Sequence, residues 1–130
     1  MVRIITDSTC DLSKSRQVEL GVEVAPLSVH FGAETFRDGV DLTNGDFYAR
    51  LRRAESLPTT SQVNPEDFAA RFRACREAGD EVVGIFISSL LSGTCQSACI
   101  ARGMVEDTHI FVVDSGTVTF GLGLLVERAA

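Results

Sequence analysis

Residues 82–96 have the sequence Val-Val-Gly-Ile-Phe-Ile-Ser-Ser-Leu-Leu-Ser-Gly-Thr-Cys-Gln, an apolar run that ends abruptly in hydroxyl side chains. The apolar part, 82–87, predicts a strand buried on both faces, because a half-exposed strand would alternate apolar and polar residues. The next apolar-periodic segment, 95–105, predicts a helix. The hydroxyls therefore lie between the C-terminal end of a strand and the N-terminus of a helix, which is where open α/β sheets bind ligands.

This hydroxyl-rich turn suits an anionic group. The first turn of a helix presents unpaired N–H groups and the positive end of its dipole, and the hydroxyls add donors without adding charge. A carboxylate and a phosphate would both be satisfied, and the pattern does not choose between them. Ser89 or Ser92 could simply cap the helix. However, four hydroxyls in the seven positions 88–94, with Gly93 among them, exceed the needs of one cap.

Composition limits the class of protein. The chain has 130 residues, 45% of them hydrophobic, which predicts a single globular domain over 1–130. The net charge of -6 argues against a nucleic-acid partner, since binding a phosphate backbone needs a cationic face. No apolar run approaches the ~20 residues of a membrane span, and no basic leader precedes the first strand. We therefore expect a cytoplasmic protein without a membrane span.

Neither a metal site nor a cofactor is predicted. The four cysteines lack the two-residue spacing of zinc or redox motifs, so we expect buried, reduced thiols at Cys10, Cys75, Cys95 and Cys99. The glycine fingerprints of dinucleotide and nucleoside-triphosphate sites are absent. Neither histidine lies in the hydroxyl-rich turn, so the sequence does not predict a Ser–His catalytic pair.

Three further strand regions are predicted. The runs 2–6 and 109–113 read as short buried strands, and polar residues follow each of them, as they follow 82–87. The run 22–31 contains Pro26, which cannot donate to a strand ladder, so this region should be bent or lie at an edge. Residues 32–34 then predict a tight turn into a hairpin.

Capping signals place the helices. Asp11 is a candidate N-cap for a helix that ends at residue 21. Thr43 and Asp46 predict a capping box for a helix ending near residue 56. Asn64, followed by proline, predicts the start of a helix that runs to residue 79. In the last helix, 120–129, the glycines at 121 and 123 would allow a close approach by another backbone or a ligand.

This order of elements predicts an α/β fold with three layers, a mainly parallel central sheet flanked by helices. Polar loops then follow three strand ends on one edge of that sheet. A second hydroxyl-rich loop is expected at 57–63, Leu-Pro-Thr-Thr-Ser-Gln-Val. Asp7 could face a ligand or could bond neighbouring backbone amides. We favour the second role, because a carboxylate would weaken an anion site.

Four stretches resemble the DegV family of bacterial fatty-acid-binding proteins. They are Ile-Thr-Asp-Ser-Thr-Cys-Asp-Leu at 5–12, Thr-Ser-Gln at 60–62, Ser-Ser-Leu-Leu-Ser-Gly-Thr-Cys-Gln-Ser-Ala at 88–98, and Val-Asp-Ser at 113–115 with Gly-Leu-Gly at 121–123. The resemblance implies the fold of the family's N-terminal domain. It also implies that one long-chain fatty acid is held by its carboxylate, with its tail in an apolar tunnel. By this analogy the ligand-binding residues are Thr60 and Ser92, then Ser61 and Gly93, and then Thr94, Ser89 and Ser8.

The resemblance also implies a role without catalysis. Some members of the family carry the acyl group for a fatty acid kinase, which phosphorylates the bound carboxylate. Members have about twice this length, and the lipid lies between two domains. The second, C-terminal lipid-binding domain is absent from this sequence, so we expect the uncovered face to favour self-association.

Two other functions were weighed. A phosphosugar-binding α/β domain would also use hydroxyl-rich loops at strand ends, and a pure interaction module would use the same loops as ordinary turns. The hydroxyl-rich loops contain no lysine, arginine or histidine, which favours an uncharged cradle and a ligand that is bound but not transformed.

Overall fold

The computed structural model describes residues 1–105 and 109–130. The strands are β1 (Val2–Asp7), β2 (Glu23–Ala25), β3 (Ser28–Phe31), β4 (Glu34–Arg37), β5 (Thr59–Ser61), β6 (Glu81–Phe86) and β7 (Ile110–Asp114). The α-helices are α1 (Lys14–Leu20), α2 (Asn44–Arg53), α3 (Pro65–Glu77), α4 (Thr94–Gly103) and α5 (Phe120–Ala129). A short 3₁₀ helix, Ser8–Cys10, follows β1 directly.

A four-stranded parallel sheet forms the centre of the molecule, in the order β2-β1-β6-β7. Helices α3 and α4 pack on one face of this sheet, and α5 packs on the other face beside α1. The predicted three-layer α/β architecture is therefore confirmed. β6 is an internal strand, paired with both β1 and β7, as its unbroken apolar sequence predicts.

Two hydrophobic clusters hold the layers together. On the α3 side, the rings of Phe68, Phe72 and Phe86 are completely buried, and those of Phe68 and Phe86 lie 4.8 Å apart. On the α5 side, Leu122 and Val126 are completely buried against the sheet. Full burial of each such side chain contributes about 1.5–3 kcal/mol relative to exposure.

The close approach predicted for the last helix is confirmed at Gly123. A Cβ atom at this position would lie 2.6 Å from the carbonyl oxygen of Cys10. Only glycine therefore lets α5 pack directly on the backbone that follows β1.

A second sheet is antiparallel and has the order β4-β3-β5. Its β3–β4 hairpin confirms the predicted turn, in which Gly32 adopts a φ of 58°. Pro26 separates β2, in the parallel sheet, from β3, in the antiparallel one, so the run 22–31 is divided between two sheets. The loop expected at 57–63 is partly wrong, because β5 pairs with β3 through Val29 and Thr60.

Capping predictions succeeded at two helices and failed at one. Thr43 and Asp46 form the predicted capping box, and the Asn64 side chain accepts a hydrogen bond at the start of α3. The Asp11 prediction was wrong: Asp11 has a φ of 54°, and the N-cap of α1 is Ser13. The side chain of Ser13 accepts the hydrogen bond at the helix start, two residues later than predicted. Helix α2 ends at residue 53, three residues earlier than predicted.

β7 is an edge strand, and its predicted burial on both faces was wrong. Ile110 is buried, but Phe111 and Val113 are 59% and 43% exposed. Phe111 pairs with Val83, which packs on the α5 side of the sheet, so the exposed apolar surface belongs to that side. Within the part of the chain that the structure describes, no helix is long and apolar enough to cross a membrane.

Candidate functional site

Two carboxylates tie together the C-terminal ends of the central strands. Asp7, at the end of β1, accepts hydrogen bonds from the backbone N–H groups of Ile87 (2.8 Å) and Thr9 (2.9 Å). Asp114, at the end of β7, accepts one from the N–H of Ser89 at 3.2 Å. The predicted structural role of Asp7 is confirmed, and the loops after β1, β6 and β7 lie on one edge of the sheet.

These two carboxyl groups differ in environment. Asp7 is completely buried, and desolvation raises its pKa, although hydrogen bonds from Thr9 and Ile87 offset part of the rise. Asp114 is exposed, and hydrogen bonds from Ser89 and Gly116 lower its pKa. Asp114 therefore places a negative charge beside Ser89.

The turn that follows β6 is fixed by its own hydrogen bonds. The carbonyl oxygen of Ser88 accepts from the N–H groups of Leu91 (2.9 Å) and Ser92 (3.1 Å), and its hydroxyl accepts from Leu90. Ser88 itself is buried, whereas Leu90 and Leu91 are 94% and 64% exposed. The turn thus holds two leucines in solvent beside the hydroxyl groups.

Ser92, Gly93 and Thr94 form the start of α4. The hydroxyl of Ser92 accepts from the N–H of Thr94 at 3.2 Å and lies 3.0 Å from the Thr94 hydroxyl. Thr94 is completely buried, and its hydroxyl also accepts from the N–H of Val63. In this structure Thr94 has no surface for a ligand, unlike half-buried Ser92. The hydroxyl of Thr94 positions Ser92 and the segment that follows β5.

That segment lies directly against the start of α4. The side-chain amide of Gln62 donates to the hydroxyl of Ser97 at 3.0 Å. A Cβ atom on Gly93 would overlap the Gln62 amide, so the glycine is what admits this side chain. The structure therefore joins the Thr-Ser-Gln and Ser-Gly-Thr segments, which are 30 residues apart in the sequence.

Thr60 and Ser61 project from opposite faces of β5. Thr60 pairs with Val29 and Ser61 pairs with Ser28, and successive side chains of a strand alternate between faces. Both residues are exposed. Ser61 meets a residue that sequence reasoning did not place in the site: its hydroxyl lies 2.7 Å from Nε2 of His30.

The contact between His30 and Ser61 had no signal in the sequence. The two residues are 31 positions apart, and β5 was not predicted as a strand. A polar face on β5 next to the predicted hairpin would have been the only indication.

The remaining predicted residues, Ser8 and Ser89, lie at other positions on the same edge. The Ser8 hydroxyl accepts from the N–H of Leu27 at 3.0 Å, and Ser8 lines a cavity of about 460 Å³. Ser89 is held by Asp114. Among the residues described, no hydrogen bond joins Ser8 or Ser89 to Thr60 or Ser92. Within 1–105 and 109–130, no cluster of three histidine, cysteine or acidic side chains could hold a metal ion.

Comparison with known proteins gives consistent results. A model of an uncharacterised protein family, DegV, matches residues 1–130. A DegV domain-containing protein of Clostridium perfringens is 43% identical over 129 residues, which cover 99% of this chain and 46% of that protein.

Solved structures match over the same length. A stearic acid-binding protein from Eubacterium ventriosum has a TM-score of 0.94 and 38% identity, with 99% of this chain and 46% of that one covered. DegV of Bacillus subtilis, described as a fatty acid binding protein, has a TM-score of 0.93 and 30% identity over 98% of this chain and 45% of that one. The chain thus spans about half the length of these relatives.

Proposed function

Since the chain belongs to the DegV family, we propose that it binds a long-chain fatty acid by its carboxylate at the start of α4. The observation that carries this proposal is the packing of Gln62 on Gly93, which brings two hydroxyl-bearing segments together. Relatives over 30% identical are described as binding fatty acids.

The head group would be bound by uncharged donors. We assign the main contacts to the hydroxyls of Thr60 and Ser92, with the first N–H groups of α4 supplying further donors and a favourable dipole. Thr94 and Gly93 position this set. Hydrogen bonds to a charged carboxylate are worth roughly 1.5–3 kcal/mol each, so two hydroxyls supply useful affinity.

Exposed apolar side chains favour a lipid over a phosphosugar. Leu90 and Leu91 stand next to Ser92 and are held in solvent by a hydrogen-bonded turn. An acyl chain that covered them would gain about 25 cal/mol for each Å² of apolar surface removed from water. A phosphosugar would gain nothing from these leucines.

We assign the chain a binding role without catalysis, in which the bound acid is presented to the catalytic subunit of a fatty acid kinase. Uncharged donors that grip a carboxylate leave its chemistry to a partner. Mixing the lipid-loaded chain with such a kinase and ATP should yield acyl phosphate. Product formation by the chain alone would contradict the assignment.

Self-association is proposed through the exposed apolar surface of β7 and α5. Its members are Phe111, Val113, Phe120, Leu124 and Leu125. Contiguous apolar surface of this kind marks an interface in soluble proteins. A cytoplasmic location is proposed as well, supported by the four free cysteines in the described structure.

Mass spectrometry of organic extracts from the purified chain tests the proposed ligand. A co-purifying long-chain fatty acid, and its loss in a Thr60→Val and Ser92→Ala double variant, is the expected result. A co-purifying phosphosugar, or retention of the acid by the folded double variant, would overturn the proposal.

A further inference from the structure

We propose that His30 is a positioning residue for the carboxylate site, acting through Ser61, and that it makes the binding of the acid pH-dependent. This inference rests on the proposed function. It follows from the juxtaposition of an imidazole with two hydroxyls on the polar face of the antiparallel sheet.

Both ring nitrogens of His30 are occupied. Nε2 lies 2.7 Å from the hydroxyl of Ser61 on β5, and Nδ1 lies 2.8 Å from the hydroxyl of Thr35 on β4. His30 is on β3, between these two strands, and its partners in the ladders are Thr35 and Thr59. The imidazole therefore links all three strands of the sheet through one face.

The protonation state of the imidazole decides what the Ser61 hydroxyl can do. A neutral imidazole has one donor and one acceptor nitrogen, so the Ser61 proton is spent on Nε2 whenever Nε2 is the acceptor. A protonated imidazole donates from both nitrogens. Ser61 must then accept from His30, which frees its own proton for an anion. Protonation also adds a positive charge near the site, so both effects favour a carboxylate.

Ser61 reaches the site because it ends β5. Thr60 precedes it, and Gln62, which packs on Gly93, follows it. A hydrogen bond that fixes Ser61 therefore fixes the strand end from which both neighbours project. β5 pairs only with β3, so little else restrains this strand.

Other charged groups around His30 do not titrate near neutral pH. On β4, the same face carries Arg37, which is paired with Asp41 at 2.8 Å, and the hydrogen bond from Arg37 lowers the pKa of Asp41 to about 2. Glu34 lies on the opposite face with Arg50. β5 carries no charged residue. Imidazole is the side chain whose charge changes between about pH 5 and pH 8, so a change in that range reports on a histidine.

The sequence offers a matched control. His109 is the only other histidine and is paired with Glu81 at the other end of the central strands. The affinity for oleate is measured from about pH 5.5 to pH 8.5, the range that brackets imidazole titration, for the wild type, His30→Gln and His109→Gln. The titration of oleate itself is common to all three proteins and cancels in the comparison.

We expect the wild type and His109→Gln to bind oleate several-fold tighter, up to roughly ten-fold, at the acidic end than His30→Gln does. All three should converge at the basic end. Ser61→Ala should lose the same pH-dependent part. A pH dependence that survives in folded His30→Gln or Ser61→Ala would overturn the inference while leaving fatty acid binding in place.

A second measurement needs no ligand. The backbone amide signal of Ser61 should shift with pH in NMR spectra of the wild type and lose that shift in His30→Gln. A flat wild-type signal would contradict the coupling. Failure of the wild type to bind oleate at any pH would instead reject the proposed function, and the inference with it.

Discussion

Gln62 holds its side-chain amide against the backbone of Gly93 and donates to the hydroxyl of Ser97 at 3.0 Å. This contact joins the end of β5 to the start of α4. It is a side-chain contact, so a Cβ atom at position 93 would displace the amide without moving either backbone. The residues that we assign to the carboxylate site lie on either side of it.

Gly93→Ala should therefore destabilise the protein by about 0.5–1.5 kcal/mol, the value of one neutral hydrogen bond. Urea unfolding measures this change. The cost should fall in a Gln62→Ala background, because the displaced amide is then already absent. Gly103→Ala is the matched control in the same helix, since nothing lies within 4 Å of a Cβ there. Equal costs in both backgrounds would show that Gln62 and Gly93 are not coupled.

Thr60→Val and Ser92→Ala should each weaken fatty acid binding by roughly ten-fold or more, because each removes one hydrogen bond to a charged carboxylate. Thr60→Ser keeps the hydroxyl and should keep most of the affinity. Ser15→Ala, on the exposed side of α1, is the control. Isothermal titration calorimetry gives the Kd values. Unchanged Kd values for both Thr60→Val and Ser92→Ala would remove these residues from the site.

The buried carboxyl of Asp7 should make stability depend on pH in an unusual direction. Burial raises its pKa above the model value of 3.8, so the folded state binds a proton more tightly than the unfolded state. Its contribution is fully present below the unfolded pKa and is lost as pH rises through the folded pKa. The unfolding free energy of the wild type, relative to Asp7→Asn, should therefore be higher at about pH 3 than at about pH 7.

Urea unfolding of the wild type and Asp7→Asn across this range checks the prediction. The difference between the two proteins isolates Asp7, since acids with a lowered pKa, such as Asp41 and Asp114, contribute with the opposite sign in both. A wild-type advantage that grows with rising pH would contradict it.

Phe111→Ser should reduce self-association, because Phe111 is 59% exposed on the apolar surface of β7 and α5. Val18→Ser is the control, since Val18 is 82% exposed on α1, away from that surface. Light scattering as a function of concentration measures the mass. A wild type that stays monomeric at every concentration argues against this interface.

Local sequence signals predicted the elements whose causes are local. The unbroken run before Ser88 predicted an internal strand, and Thr43 with Asp46 predicted a capping box, because both depend on neighbouring residues. Ser13 was missed in favour of Asp11, since both residue types cap helices and only the backbone conformation separates them.

Features that depend on distant pairing could not be predicted. Residues 59–61 are polar and lack apolar alternation, and they form a strand only because β3 offers a free edge. The exposure of Phe111 follows from the position of β7 at the edge of the sheet, which a short apolar run does not reveal. The contact of His30 with Ser61 depends on the register of that same pairing.

β5 has only three residues, all exposed, and it belongs to the smaller sheet, whereas α4 belongs to the larger assembly. Such a strand opens locally at a lower free energy than the core does. A ligand gripped by both Thr60 and Ser92 would oppose that opening, so occupancy and the order of β5 are thermodynamically linked. Amide hydrogen exchange at 59–61 would then slow when the lipid is bound, while exchange in β6 would stay unchanged.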